Sequence, residues 1–169
     1  ISHDGKLLLF SSNRQESLKD AKAAKPSFDI YISEKEGTAW GTPYPIFGAV
    51  NTSGDELNPY MTADANTLYF TRSQFDDAGN SVIIETGRDN DIWGENMQTS
   101  DITYLSSIRI SMVKKSVFHN GFWVSAYKES KRDIFFIAID SDGNSEILDP
   151  GNTVNTENDE NSVFEIDKN

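Results

Sequence analysis

Cysteine is absent from this chain of 169 residues, and histidine occurs only twice. The chain therefore has no disulfide framework, no thiolate zinc site and no cysteine nucleophile. Because secreted proteins can also lack disulfides, the absence leaves the cellular compartment open. His3 and His119 lie at predicted turns, and no Gly-x-Ser-x-Gly sequence supplies a serine nucleophile. We expect neither histidine to be catalytic.

Basic residues are few: 15 Lys and Arg stand against 27 Asp and Glu, for a formal net charge of −12. Such a surface repels phosphate backbones, so no nucleic-acid partner is expected. Long hydrophobic runs are lacking too. None approaches the roughly 18 apolar residues of a spanning helix, so we expect no direct membrane insertion. The chain begins ISHDG, without Met and like the inside of a strand-turn-strand unit, so we expect a piece of a longer protein.

Two unlike motifs recur in this sequence at one spacing. The segment VNTSGDE at residues 50–56 returns as VNTENDE at 154–160, and DIY at 29–31 returns as DIF at 133–135, both 104 residues later. Trp40 and Trp93 are separated by about half that distance, 53 residues. A fixed period shared by unlike motifs indicates structural repeats of about fifty residues each.

Short apolar segments between turn residues fill each repeat. The continuous runs at residues 7–10 and 67–71 predict strands that are covered on both faces. Pro43 beside Trp40 predicts an edge strand, and Trp93 begins the matching edge of the next unit. Residues 15–25 predict a short surface helix or a lysine-rich loop.

Three units of four short strands predict an all-β fold of the β-propeller type. Since propellers have at least four blades, we expect about three four-stranded blades of a larger, incompletely represented propeller. A β-sandwich is the alternative, but it does not account for the repeat. The blades are predicted at about residues 1–53, 54–104 and 105–157, with 158–169 as the first strand of a further blade.

The residues also carry a family resemblance. Residues 2–14, SHDGKLLLFSSNR, resemble the repeat core S-x-D-G-K-x-L-x-F-x-S-N-R of TolB-type, WD40-like β-propeller proteins. The continuation resembles the subset associated with OmpA-like envelope proteins in Bacteroidota, at residues 28–33, 40–43 and 50–56. The resemblance is close over residues 1–70, poor between about 95 and 130, and returns at the second copies of the motifs.

This resemblance implies a non-enzymatic protein-interaction scaffold of the bacterial cell envelope. It implies a periplasmic or outer-membrane-associated location and a role in a secretion or peptidoglycan-linked assembly. The expected partners are other envelope proteins or further domains of the same chain. The alternative is a carbohydrate-active propeller, lyase or sialidase-like, or a carbohydrate-binding module.

Two acid pairs and two aromatic residues are the candidate site residues. Asp55-Glu56 and Asp159-Glu160 precede the first strand of successive blades, where they could line a channel mouth, bind a partner or hold a cation. The simpler interpretation is that they cap turn amides and pair with arginines. Phe122 and Trp123 break the spacing at which Trp40 and Trp93 fill gaps between units, so they are candidates for exposed contacts.

A cofactor is not expected from this sequence. Residues 140–144, DSDGN, resemble part of a calcium loop but lack its later ligands, so a plain hairpin turn is favoured over Ca2+. No catalytic residue and no metal ligand is predicted.

Overall fold

The computed structural model describes residues 1–14, 27–73, 81–90, 92–99, 109–128, 130–163 and 165. Within these ranges the chain forms twelve strands and no helix, so nothing helical there is long and apolar enough to span a membrane. The chain divides into two compact units, Ile1–Ser100 and Asp101–Asn169. The predicted lysine-rich segment, residues 15–25, lies outside the described ranges.

The first unit contains two four-stranded antiparallel sheets. The strands of the first sheet are β1 (Leu7–Ser12), β2 (Asp29–Glu36), β3 (Ala39–Trp40) and β4 (Tyr44–Pro45). In this sheet β2 pairs with each of the other three. The second sheet has its strands in chain order: β5 (Glu56–Met61), β6 (Thr67–Ser73), β7 (Ser81–Asp89) and β8 (Ile92–Thr99).

Burial in these sheets follows the position of each strand. β6 lies between β5 and β7, and its residues 68–71 are buried, which confirms the prediction for that strand. The same prediction is wrong for β1, since all six of its residues remain partly exposed. The reason is that β1 lies at the edge of its sheet, whereas β2 pairs on both sides and buries Ile30 and Tyr31 completely.

A shared core joins the two sheets of the first unit. Its buried members are Ile30, Ile32, Ile46, Val50, Leu68, Phe70, Ile84 and Trp93. Trp93 is 3% exposed because its side chain packs into this core. Its backbone also bonds to residues 47–49, through the Phe47 carbonyl at 3.0 Å and the Ala49 amide at 3.1 Å. Trp40, its counterpart in the sequence, is 39% exposed. Of the two tryptophans, only Trp93 packs into this core.

The second unit contains one four-stranded antiparallel sheet in the order β12-β11-β10-β9. Its strands are β9 (Arg109–Lys115), β10 (Gly121–Lys128), β11 (Lys131–Ile139) and β12 (Ser145–Leu148). The all-β prediction with four-stranded antiparallel units is thus confirmed. Residues 161–163, predicted as part of a further strand, form no regular strand, because no described segment pairs with them; most of the rest of that strand lies outside the described residues.

Candidate functional site

Both predicted acid pairs belong to a six-residue sequence, N-T-x-x-D-E, which we call the NTxxDE motif. The first motif, residues 51–56, connects β4 to β5 in the first unit. The second motif, residues 155–160, follows β12 in the second unit. The hydrogen bonds of the two motifs can be compared position by position.

The asparagine of each motif binds both backbone groups of one isoleucine. Asn51 accepts from the Ile30 amide at 2.8 Å and donates to the Ile30 carbonyl at 3.0 Å. Asn155 does the same with Ile134, at 2.8 and 2.9 Å. Ile30 and Ile134 are themselves 104 residues apart, so both the motif and its binding place recur.

The aspartate and the backbone of the glutamate bind one further residue of the same strand region. Asp55 Oδ1 accepts from the Phe28 amide at 2.8 Å, and the Glu56 amide donates to the Phe28 carbonyl at 2.8 Å. In the second motif the corresponding bonds join Asp159 and Glu160 to Arg132, at 3.0 and 2.9 Å. Each motif is therefore attached to its sheet at two residues.

The glutamate side chain closes the motif internally, in the manner of a capping box. Glu56 accepts from the Thr52 amide at 2.9 Å and from the Thr52 hydroxyl. Glu160 accepts from the Thr156 amide at 3.2 Å and from its hydroxyl at 2.6 Å. The four carboxylates therefore serve first to satisfy backbone amides and two threonine hydroxyls.

The charged partners of the two motifs differ. Glu56 is fully buried and forms an ion pair with Arg72 of β6, with Nε at 3.0 Å from Oε1. In the second motif the ion pair joins Asp159 to Arg132 at 3.2 Å on the surface. The Arg132 amide and then its guanidinium lower the pKa of Asp159. The expected pairing of arginines with the acidic motifs is thus confirmed at Arg72 and Arg132.

The two aromatic candidates occupy different environments in β10. Phe122 is 3% exposed, so its ring lies in the interior of the second unit. Trp123 is half-buried, and its Nε1 donates to Glu165 Oε1 at 2.6 Å. Glu165 also accepts from the Ser116 hydroxyl at 2.6 Å and the Val117 amide at 2.7 Å. Trp123 therefore helps to attach residue 165 to the sheet.

Burial opposes ionisation of Glu165, but these three hydrogen bonds outweigh it and lower the pKa of the carboxyl.

Asp140, in the loop that resembles a calcium site, forms the hairpin turn between β11 and β12. The Asn144 side chain and amide, with other turn amides, lower its pKa. Among the described residues, no group of three or more His, Asp or Glu side chains is arranged to hold a metal ion.

Comparison with known proteins adds no assignment. Neither protein-family models, nor curated proteins, nor solved structures match this chain. The geometry above is therefore the basis for any functional conclusion.

Sequence reasoning missed the roles of Asn51, Asn155 and Glu165. For the asparagines the signal was present, because their recurrence accompanies the recurrence of the DIY and DIF segments that they bind. For Glu165 the sequence carried no such signal, because the residue 104 positions earlier is Met61 and the glutamate does not recur.

Proposed function

We propose that this chain is part of a β-propeller that acts as a non-enzymatic protein-interaction scaffold of the bacterial cell envelope. In this proposal each four-stranded sheet is a blade, and each NTxxDE motif fixes the connection from one blade to the next. The periplasmic or outer-membrane-associated location, and partners among envelope proteins or further domains of the same chain, are part of the proposal.

One observation carries the non-enzymatic role: the candidate carboxylates already have partners inside the fold. Glu56 holds Thr52 and Arg72, and Asp159 holds the amide and guanidinium of Arg132. A general acid or base needs a proton-transfer partner on the substrate within hydrogen-bond reach. Carboxylates that already bind amides, hydroxyls and arginines within the fold support a structural use.

Exposed apolar side chains support binding to other proteins. Trp40 and Phe47 are exposed in the first unit, and Val117 and Phe118 in the second. Large aromatic side chains contribute much of the binding energy in protein interfaces. These residues are the proposed contacts of the scaffold.

The test is affinity capture of partners from a detergent extract of bacterial envelopes, with cross-linking and mass spectrometry. The immobilised full chain should retain envelope proteins, and Phe47→Ser or Phe118→Ser should remove part of them, whereas Glu146→Gln, an exposed charge on β12, should not. Turnover of a glycan by the chain, without such partners, would refute the proposal.

A carbohydrate-binding role is the second candidate, and one cavity favours it. A cavity of about 860 Å³ in the second unit is lined by amide, hydroxyl and charged groups: Lys128, Ser130, Lys131, Asp133, Asp149, Asn152, Asn155, Thr156 and Glu157. Such groups suit the hydroxyls of a sugar. Saturable glycan binding in calorimetry that Asn152→Ala abolishes would favour this role over the scaffold.

A further inference from the structure

We propose that the cleft between the two sheets of the first unit binds a small zwitterion, namely an α-amino acid with an apolar side chain. A cavity of about 400 Å³ opens there, and strands of both sheets contribute to its walls. Binding sites for small molecules start at about 300 Å³, so this cavity suits one amino acid better than a longer chain. The inference goes beyond the proposed scaffold function and does not depend on it.

Apolar side chains from four strands line the cavity. They are Leu7 of β1, Ile32 of β2, Met61 of β5 and Trp93 of β8. Ile32 is 7% and Trp93 3% exposed, and both belong to the core that the two sheets share. Leu7 and Met61 pack against that core while they remain partly exposed. An apolar side chain of a ligand would therefore leave water and contact an apolar surface here.

Two side chains of opposite charge, Glu34 of β2 and Arg88 of β7, line the same cavity. Both residues are exposed, so their charges lie at the opening rather than in the buried part. Among the ion pairs of the described residues, none joins Glu34 to Arg88. The two charges thus face one cavity without neutralising each other, and a ligand that carries both an ammonium and a carboxylate can bind to both.

The Glu34 carboxylate is held in place by one of its two oxygens. The Tyr44 hydroxyl donates to Glu34 Oε1 at 2.6 Å, which orients the carboxylate beside the cavity. Within the described part of the chain, the Glu34 side chain makes no other hydrogen bond. Because a carboxylate oxygen accepts more than one hydrogen bond, Oε2 can receive the ammonium of a ligand while Oε1 keeps Tyr44.

The Arg88 guanidinium is placed by an aromatic ring of the cavity wall. Its Cζ lies 5.9 Å from the centroid of the Trp93 ring, within the range of a cation–π contact. A guanidinium has several N–H donors in one plane, so it can bind the carboxylate of a ligand in addition to its contacts in the fold. Arg88 is therefore the partner of the ligand's carboxylate, and Glu34 is the partner of its ammonium.

The charges around the opening are nearly balanced, unlike those of the whole chain. An adjacent cavity shares Glu34 and Arg88 with the first and adds Asp4, Lys6 and Lys35. Three cations and two carboxylates therefore surround this opening, in a chain with a formal net charge of −12. Such a balance favours a ligand without net charge over a plain cation or a plain anion.

The experiment is an NMR titration of the isotope-labelled full chain with L-leucine, observed at the Trp93 indole N–H and the Met61 methyl group. Saturable shifts are expected at both. Leucine amide lacks the carboxylate and isocaproate lacks the ammonium, so each should bind about tenfold more weakly, because one charge-assisted contact is lost. L-serine, which lacks the apolar side chain, should also bind about tenfold more weakly.

Two substitutions assign each charge of the ligand to its partner. Glu34→Gln should weaken leucine binding about tenfold without weakening that of isocaproate, which has no ammonium. Arg88→Gln should weaken both leucine and isocaproate without weakening leucine amide, which has no carboxylate. Lys35→Gln is the matched control, because it removes a positive charge beside the opening but does not line this cavity. It should change leucine binding less than about twofold.

Three results would overturn the inference. The first is the absence of a saturable shift at Trp93 with L-leucine at tens of millimolar. The second is equal binding of leucine and isocaproate, which would make this a site for apolar anions. The third is an equal effect of Arg88→Gln and Lys35→Gln, which would reduce the role of Arg88 to long-range attraction.

The comparison of the analogues uses the unmodified chain, so it decides the question even if a variant fails to fold. Envelope capture does not involve this ligand. If the titration fails while capture succeeds, the scaffold function therefore stands and this site alone is wrong.

Discussion

The two NTxxDE motifs form the same hydrogen bonds in different surroundings. In the first unit the motif lies under β6, with Glu56 and Val50 fully buried and Arg72 paired to the carboxylate. In the second unit the motif binds Ile134 and Arg132 in the same way, but Val154 is exposed and its acidic side chains lie nearer to water. The local network therefore follows from the six residues and the strand they bind, whereas the burial depends on a neighbouring strand.

The largest expected effect separates the two glutamates. Glu56→Ala should lower the free energy of unfolding by about 3 kcal/mol, because it removes the fully buried carboxylate that binds Thr52 and the partly exposed Arg72. Glu160→Ala should cost only about 1 kcal/mol, the worth of ordinary hydrogen bonds to Thr156. Urea unfolding followed by circular dichroism measures both. Equal losses would show that the ion pair with Arg72 adds nothing to the first motif.

A smaller effect is expected from the glycine that lets the chain approach Trp93. Gly48 has φ of 107°, and a Cβ there would lie 1.6 Å from the Trp93 carbonyl oxygen. Gly48→Ala should cost about 2–4 kcal/mol, because the left-handed conformation and the overlap both disfavour alanine. Its counterpart in the second unit is Asn152, which is exposed. Asn152→Ala should leave the urea midpoint unchanged, and a shift as large as that of Gly48→Ala would contradict this explanation.

The two asparagines should behave alike. Each makes two bonds to one isoleucine backbone, so Asn51→Ala and Asn155→Ala should each cost about 1–3 kcal/mol by leaving these groups without a partner. Thermal unfolding together with amide hydrogen exchange at Ile30 and Ile134 measures this. A large loss of protection at one isoleucine and none at the other would break the equivalence of the two motifs.

The smallest expected effect is a dependence on pH at Glu165 in the second unit. Hydrogen bonds lower the pKa of Glu165 in the folded chain, so its contribution to stability is present above the unfolded value, about 4.3. It is lost as the pH falls through the lowered folded pKa. The indole N–H signal of Trp123 should shift in that range, as followed by NMR. Glu165→Gln should abolish the titration; its persistence would assign it to another group.

Much of the fold could be predicted from the sequence, because the determining patterns are local. Turn residues and apolar runs placed the strands, and the recurrence of one motif with the segment it binds revealed the repeat. The burial of β1 was predicted wrongly, since an apolar run does not reveal whether its strand lies at the edge of a sheet. The site was predicted in part: the acid pairs were found, but not the asparagines that bind beside them.

The sequence by itself determined the strand pattern, the repeat and the internal network of each NTxxDE motif, because these depend on residues close together or at a fixed spacing. Only the tertiary structure decided which motif is buried, since that depends on β6 covering residues 50–56. It likewise decided that Trp93 is enclosed while Trp40 is exposed, because Trp93 packs into the core shared by the two sheets and Trp40 does not. Closely similar local hydrogen bonds thus lead to different surfaces where different strands lie next to them.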